Sequence, residues 1–172
     1  MLTKIDLCSM ALLKLGEQPI QSLLDDTASA KLSRVLYDSV IDALIAVHPW
    51  RFATRQISLT RSTDGTFLIP SDVLRVLKAD GHILGNKVIS DADNTDILAT
   101  VRVGPDMFPS YFVSLAATRL AMEFCVPLTG NQSVFRILTA LYESELQTAK
   151  FIDSTMSVSE GIQDFSLISS RF

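Results

Sequence analysis

The chain has 172 residues, 48% of them hydrophobic and 20% charged, a globular composition with a thin polar coat that can bury roughly 70% of its unfolded surface in one domain, or one domain plus an extension. Fifteen Lys and Arg against nineteen Asp and Glu leave a net charge of -4. No block of consecutive basic residues appears, which argues against non-specific binding to duplex nucleic acid.

The first stretch, MLTKIDLCSMALLKLG, is expected to be an amphipathic helix over 3–15. Thr3 and Asp6 form a capping-box-like start, Ile5, Cys8, Leu12 and Leu15 or Leu13 share a face, and Gly16 stops it. Asp6 inside the apolar part, with no Ala-x-Ala site after it, argues against a cleaved leader. No run approaches the 18 or so apolar residues of a membrane span. A short connection leads to a second helix over 27–48. There Ala28, Leu32, Val35, Leu36, Val40, Ala43, Leu44 and Val47 follow helical spacing, and Tyr37, Ile41 and Ile45 add a second stripe. Such a helix packs between two layers.

Pro49 ends that helix, since it forces His48 out of the α region. The segment HPWRFATRQ, residues 48–56, is then read as extended, so that Trp50 and Phe52 point one way and Arg51 the other, with Arg55 joining Arg51 only if the strand straightens. Three readings stay open: a lock of the helix end onto the core, a subunit contact through Trp50, Arg51, Phe52 and Arg55, or a basic aromatic nucleic-acid site, which asks for more positive charge than this chain supplies.

The insertion 54–103 changes character. Short β-like runs at 56–61, 66–69, 73–78, 87–90 and 97–103 are separated by turn residues such as Ser62-Thr63-Asp64-Gly65 and Leu84-Gly85-Asn86, and they predict one small, mostly antiparallel sheet. Helices return at 108–126, nearly apolar all round, and at 131–152, capped by Thr129 or Asn131. The second of these is expected to bury Val134, Ile137, Leu138, Leu141, Leu146 and Ala149. The fold class is α+β, predominantly helical. A helical bundle carries a small antiparallel sheet inserted between its N- and C-terminal helices, and the helix 108–126 is the hub of a single domain 1–153.

Residues 154–172 differ again. Serines at 154, 157, 159, 166, 169 and 170 alternate with apolar Val158, Ile162, Phe165, Leu167, Ile168 and Phe172, and no helical stripe persists. A polar chain studded with isolated anchors builds no core of its own. It reads either as a frayed terminus or as an extended arm that orders on another protein's surface.

Chemistry is sparse along the chain. Cys8 and Cys125 lie in helical apolar stretches, which favours two reduced, buried thiols over a disulfide and a reducing, cytosolic compartment. Neither His48 nor His82 has a partner at metal-ligand spacing. The Asp91, Asp93, Asn94, Asp96 stretch fails as a calcium loop because Asp96 and Arg102 stand where Gly and Glu are needed. No Gly-rich phosphate loop and no Gly-x-Ser-x-Gly elbow occurs. Arg119 and Glu123, four residues apart, form either a structural ion pair or a buried functional pair. No cofactor, metal or catalytic residue is nominated.

Several stretches together resemble one family. Asp6-Leu7-Cys8, the run Ala11 to Ile20 containing Leu15-Gly16-Glu17-Gln18-Pro19-Ile20, Ser22-Leu23, Asp25-Asp26-Thr27-Ala28, Leu36-Tyr37-Asp38, Asp42-Ala43-Leu44, His48-Pro49-Trp50-Arg51-Phe52-Ala53 and Leu68-Ile69-Pro70-Ser71-Asp72-Val73-Leu74-Arg75-Val76 are similar to the head-to-tail connector, or adaptor, family of tailed bacteriophages. That family includes the podovirus tail tubular protein A, the tail accessory factor, and adaptors of prophages and gene transfer agents. The resemblance covers most of residues 3–153, and its specificity lies in the LGEQPI opening combined with HPWRFA. The stretch between Thr60 and Phe67 is short, so decorations of that region in larger relatives need not apply.

The resemblance implies a non-enzymatic part of the virion at the head–tail junction, made in the bacterial host cytoplasm. It implies copies joined in a ring, dodecameric in the family, below the portal protein. The ring extends or seals the DNA channel and receives a downstream tail or nozzle protein. DNA only passes through, no membrane is involved, and the C-terminal arm docks on the portal. Two other classes stand beside it: a host helical binding or regulatory module, and a tail-associated cell-wall hydrolase.

Overall fold

The computed structural model describes residues 1–156. Four helices and six strands follow one another as α1 (Lys4–Lys14), α2 (Ala28–Ala46), β1 (Thr54–Leu59), β2 (Phe67–Leu68), β3 (Val73–Ala79), β4 (His82–Leu84), β5 (Lys87–Ile89), β6 (Thr95–Val101), α3 (Ser110–Thr129) and α4 (Gln132–Thr155). The class is α+β with a helical majority, as the sequence pattern predicts.

Helix boundaries follow local chemistry. Thr3 caps α1 in a reciprocal box with Asp6, whose carboxyl is held below its ordinary range by the hydrogen bonds from Thr3. The Thr27 hydroxyl accepts from Ala30 N–H at the start of α2, and Asn131 accepts from Ser133 and Val134 N–H at the start of α4. Helix α3 runs one turn further than expected, through Pro127 to Thr129. A proline in the last turn forfeits one hydrogen bond, and Gly130, at φ 59, closes the end by donating its N–H to Val126 O.

Helix α3 is the hub, touching α1, α2 and α4. By length and composition it is long and apolar enough to cross a membrane, and more than half of that apolar stretch is buried in the fold. This corrects the expectation that no run approaches that size. A helix packed against three others needs apolar residues on most of its sides, as a lipid-facing one does, and Arg119 and Glu123 take part of the side left to water. Its Arg119 and Glu123 pair with each other at 2.6 Å, the structural ion pair rather than a buried functional one. Cys8 and Cys125 are free and buried, and burial pushes the Cys8 thiol up to about 11.

Three packing expectations change. On α2 the second stripe, Tyr37, Ile41 and Ile45, is deeply buried, whereas Val35 and Val47 face solvent. The cause is that α1 and α3 both lie on the Tyr37 side. On α4, Leu138 and Ala149 are buried while Ile137 and Leu141 are exposed. Last, the insertion forms two three-stranded antiparallel sheets rather than one, ordered β1-β6-β3 and β2-β5-β4.

The second sheet gains its third strand because residues 82–84, to which the sequence pattern assigns no strand, form β4, with Ile83 opposite Val88. Gly81 lets this hairpin close, since a Cβ there would sit 2.5 Å from Ile89 O. Between the sheets Leu59, Phe67, Val88, Ile97 and Ala99 form a small core of their own. Arg102 joins insertion to bundle. Its guanidinium grips the Asp42 carboxylate of α2 at 2.9, 3.0 and 2.5 Å, and its N–H donates to Asp72 O.

Candidate functional site

The segment 48–56 is the place where the structure concentrates aromatic and charged side chains. It is not extended at its centre: Arg51–Ala53 form a 3-10 turn, and β1 begins at Thr54. The alternation expected of Trp50, Arg51 and Phe52 therefore does not apply, yet both rings go inward. Trp50 is fully buried, donates Nε1–H to Leu44 O at 3.0 Å, and stacks on Phe52 with ring centroids 6.2 Å apart. Phe52 meets Phe108 and Phe112 edge-on at 5.8 and 4.8 Å, and Trp50 meets Phe112 at 5.2 Å. Edge-to-face geometry of this kind adds to the area the rings bury. Arg51 and Arg55 are left exposed.

The turn forms where it does because of a residue 102 positions away. Asp153, in the last turn of α4, is 2% exposed. Its carboxylate accepts the Arg51 N–H at 3.2 and 3.3 Å and the Tyr111 hydroxyl at 2.7 Å, and it lies 3.5 Å from His48 Nε2. A buried carboxylate needs such partners. Burial first, and the neighbouring carboxylate second, hold the Tyr111 hydroxyl above its ordinary range, so it stays a donor. Chemically the cluster is an anchor, with His48, Arg51 and Tyr111 tying the end of α4 to the joint between α2 and β1.

Nothing in the sequence pattern nominated Asp153 or Tyr111. The signal was present only as an acidic residue at a helical core position. Helix α4 continues through Thr155, so residues 154 and 155 belong to the helix and not to the arm expected from 154. Its anchors Val158, Ile162, Phe165, Leu167, Ile168 and Phe172 lie outside the described residues.

The other stretches singled out in the sequence are dispersed. His82 opens β4 on an exposed edge. Asp96 accepts from Gln56 Nε2 at 3.1 Å, and Asp93 lies 3.8 Å from Arg61. The described residues hold no group of three or more His, Cys, Asp and Glu able to bind a metal ion. Residues 68–76 line one wall of an open groove of about 730 Å³ beside β3, with Ile83 and Asn86 across from them. Compared with known proteins, the chain matches no family model and no curated sequence.

Proposed function

We propose that the chain is a structural head-to-tail adaptor of a tailed phage or prophage, a protomer that joins copies of itself in a ring below the portal and receives tail proteins. The observation that carries this reading is the pairing of LGEQPI with HPWRFA in one chain. What these motifs do in the fold supports a building block. Gly16 at φ 78 reverses the chain after α1, and Ile20, buried, accepts a hydrogen bond from Ser9 through its carbonyl. Trp50 plugs the bundle, and Asp42 and Asp72 share Arg102 at the joint with the sheets. Each is a joint between elements, and none presents a nucleophile beside a base.

The C-terminal arm is the portal-docking element of this reading. The last turn of α4, which precedes it in the chain, is tied to the α2–β1 joint through Asp153, and repetition around a ring multiplies weak single contacts. An acidic protomer also suits a channel wall along which phosphates slide. The test is co-sedimentation with portal rings from the same phage, comparing the full chain with one ending at Met156, which keeps α4 and its anchor intact. The expected result is stoichiometric decoration by the full chain and none by the shorter one. A full chain that leaves portal rings bare overturns the proposal.

A further inference from the structure

Helix α4 buries only Leu138, Ala149 and Asp153. Its outward side carries Ile137, Leu141, Ser144, Thr148 and Phe151, spaced three or four residues apart and therefore on one face about 21 Å long. No charged residue of α4 falls within that stripe: Arg136, Glu143, Glu145, Lys150 and Asp153 all project from other sides. Next to it, α1 and α3 form a groove of about 550 Å³ whose apolar lining is Met10, Leu13, Val113 and Ala117, with Lys14, Ser110 and Ser114 beside them. Groove and stripe meet at Glu145, one turn from Leu141, which lies 3.9 Å from Lys14 and accepts from Ser114 at 3.0 Å. The other charge on this side is Asp6, one turn before Met10 on α1, whose carboxylate is engaged by Thr3, while Ser144 and Thr148 separate the apolar residues of the stripe.

We infer that this side of the bundle, formed by α1, α3 and α4, is the surface on which a second copy of the chain docks. The assignment deepens the ring reading, on which the choice of occupant rests, by naming the face. Its area fits. Met10, Leu13, Ile137, Leu141 and Phe151 are 43%, 60%, 67%, 39% and 70% exposed. Side chains of that size leave on the order of 500 Å² of apolar surface in water, at the upper end of what a monomer carries in one patch. A standard interface takes about 800 Å² from each partner, roughly 60% of it apolar, so the patch supplies the apolar part of one half-interface. The exposed leucines of the second sheet do not compete: Lys87 sits between Leu68 and Leu84 in the ladder and breaks their surface.

The test is sedimentation velocity from micromolar to millimolar protein, alone and with portal rings. It compares the full chain, Ile137→Glu with Leu141→Glu, the milder Ile137→Ser with Leu141→Ser, the control Leu84→Glu, and the chain ending at Met156. Thermal melting checks that each variant is folded. Concentration-dependent assembly of the full chain, weakened about a hundredfold in the charged variant and measurably in the serine variant but unchanged in Leu84→Glu, is the expected result. If face variants assemble like the full chain, the face is wrong and the ring reading survives. If nothing assembles under any condition, both fail. If only the shortened chain assembles, the chain's own C-terminal residues cover the face and the second copy is excluded as its occupant.

Discussion

Among the described residues, the helical bundle closes around twenty-five buried hydrophobics and the β insertion around five. Both are tied together by Arg102, but only the bundle has enough buried area to stand as an independent core. Within the bundle the same contrast recurs: α3 buries ten of its twenty residues and α4 three of twenty-four. Apolar surface is spent unevenly, and where a long helix keeps an apolar side in water, an interaction surface is the physical expectation.

Substitutions in each core measure how far bundle and insertion depend on one another. The largest effect is expected from Trp50→Ala, which empties the centre of the aromatic cluster and leaves Leu44 O without its donor; it should cost about 3–5 kcal/mol in chemical denaturation, spread over the whole domain. Phe67→Ala should cost about 3 kcal/mol, and hydrogen exchange should show the loss in β2, β5 and β6 while α3 amides keep their protection. Equal loss in α3 would mean that insertion and bundle unfold as one unit. Asp153→Asn should cost about 1–3 kcal/mol, and Tyr111→Phe part of the same amount, read as a shared decrease in a double-mutant cycle. Asn131→Ala removes the cap of α4 and should cost about 1 kcal/mol in thermal melting.

The smallest effect is absent at neutral pH and grows in alkali. Burial raises both Cys8 and Tyr37 above their ordinary values. The unfolded chain therefore releases these protons first. The associated stability is complete below about pH 8.5, the free thiol's value, and falls as pH rises, Cys8 contributing up to about 11 and Tyr37 above the free phenol's value near 10. The melting temperature measured from pH 8 to 11 should decline, and less steeply in a Tyr37→Phe variant.

Much of the fold was legible before any coordinates. The capping residues Thr3 and Asn131, the stop at Gly16, and the hub character of α3 are read from neighbours within four positions or from a single period. The candidate site was half legible: Trp50 and Phe52 announced a buried cluster, but the 3-10 turn under them is held by Asp153, which no local pattern connects to residue 51. Periodicity places Ile137 and Leu141 in the core because it reports that a helix has an apolar side, not which neighbour covers it.

The set of helices, most of their caps, the turn residues, and the contrast between bundle and insertion are properties of local sequence. Those depend on hydrogen bonds and side-chain spacing within a turn or two. Tertiary structure alone decided that the strands split into two sheets, that Asp153 anchors the end of α4 to the α2–β1 joint, and that one apolar side of α4 stays in water. Each of these depends on which distant segments meet, and a one-dimensional pattern specifies the surfaces that must be buried without specifying their partners.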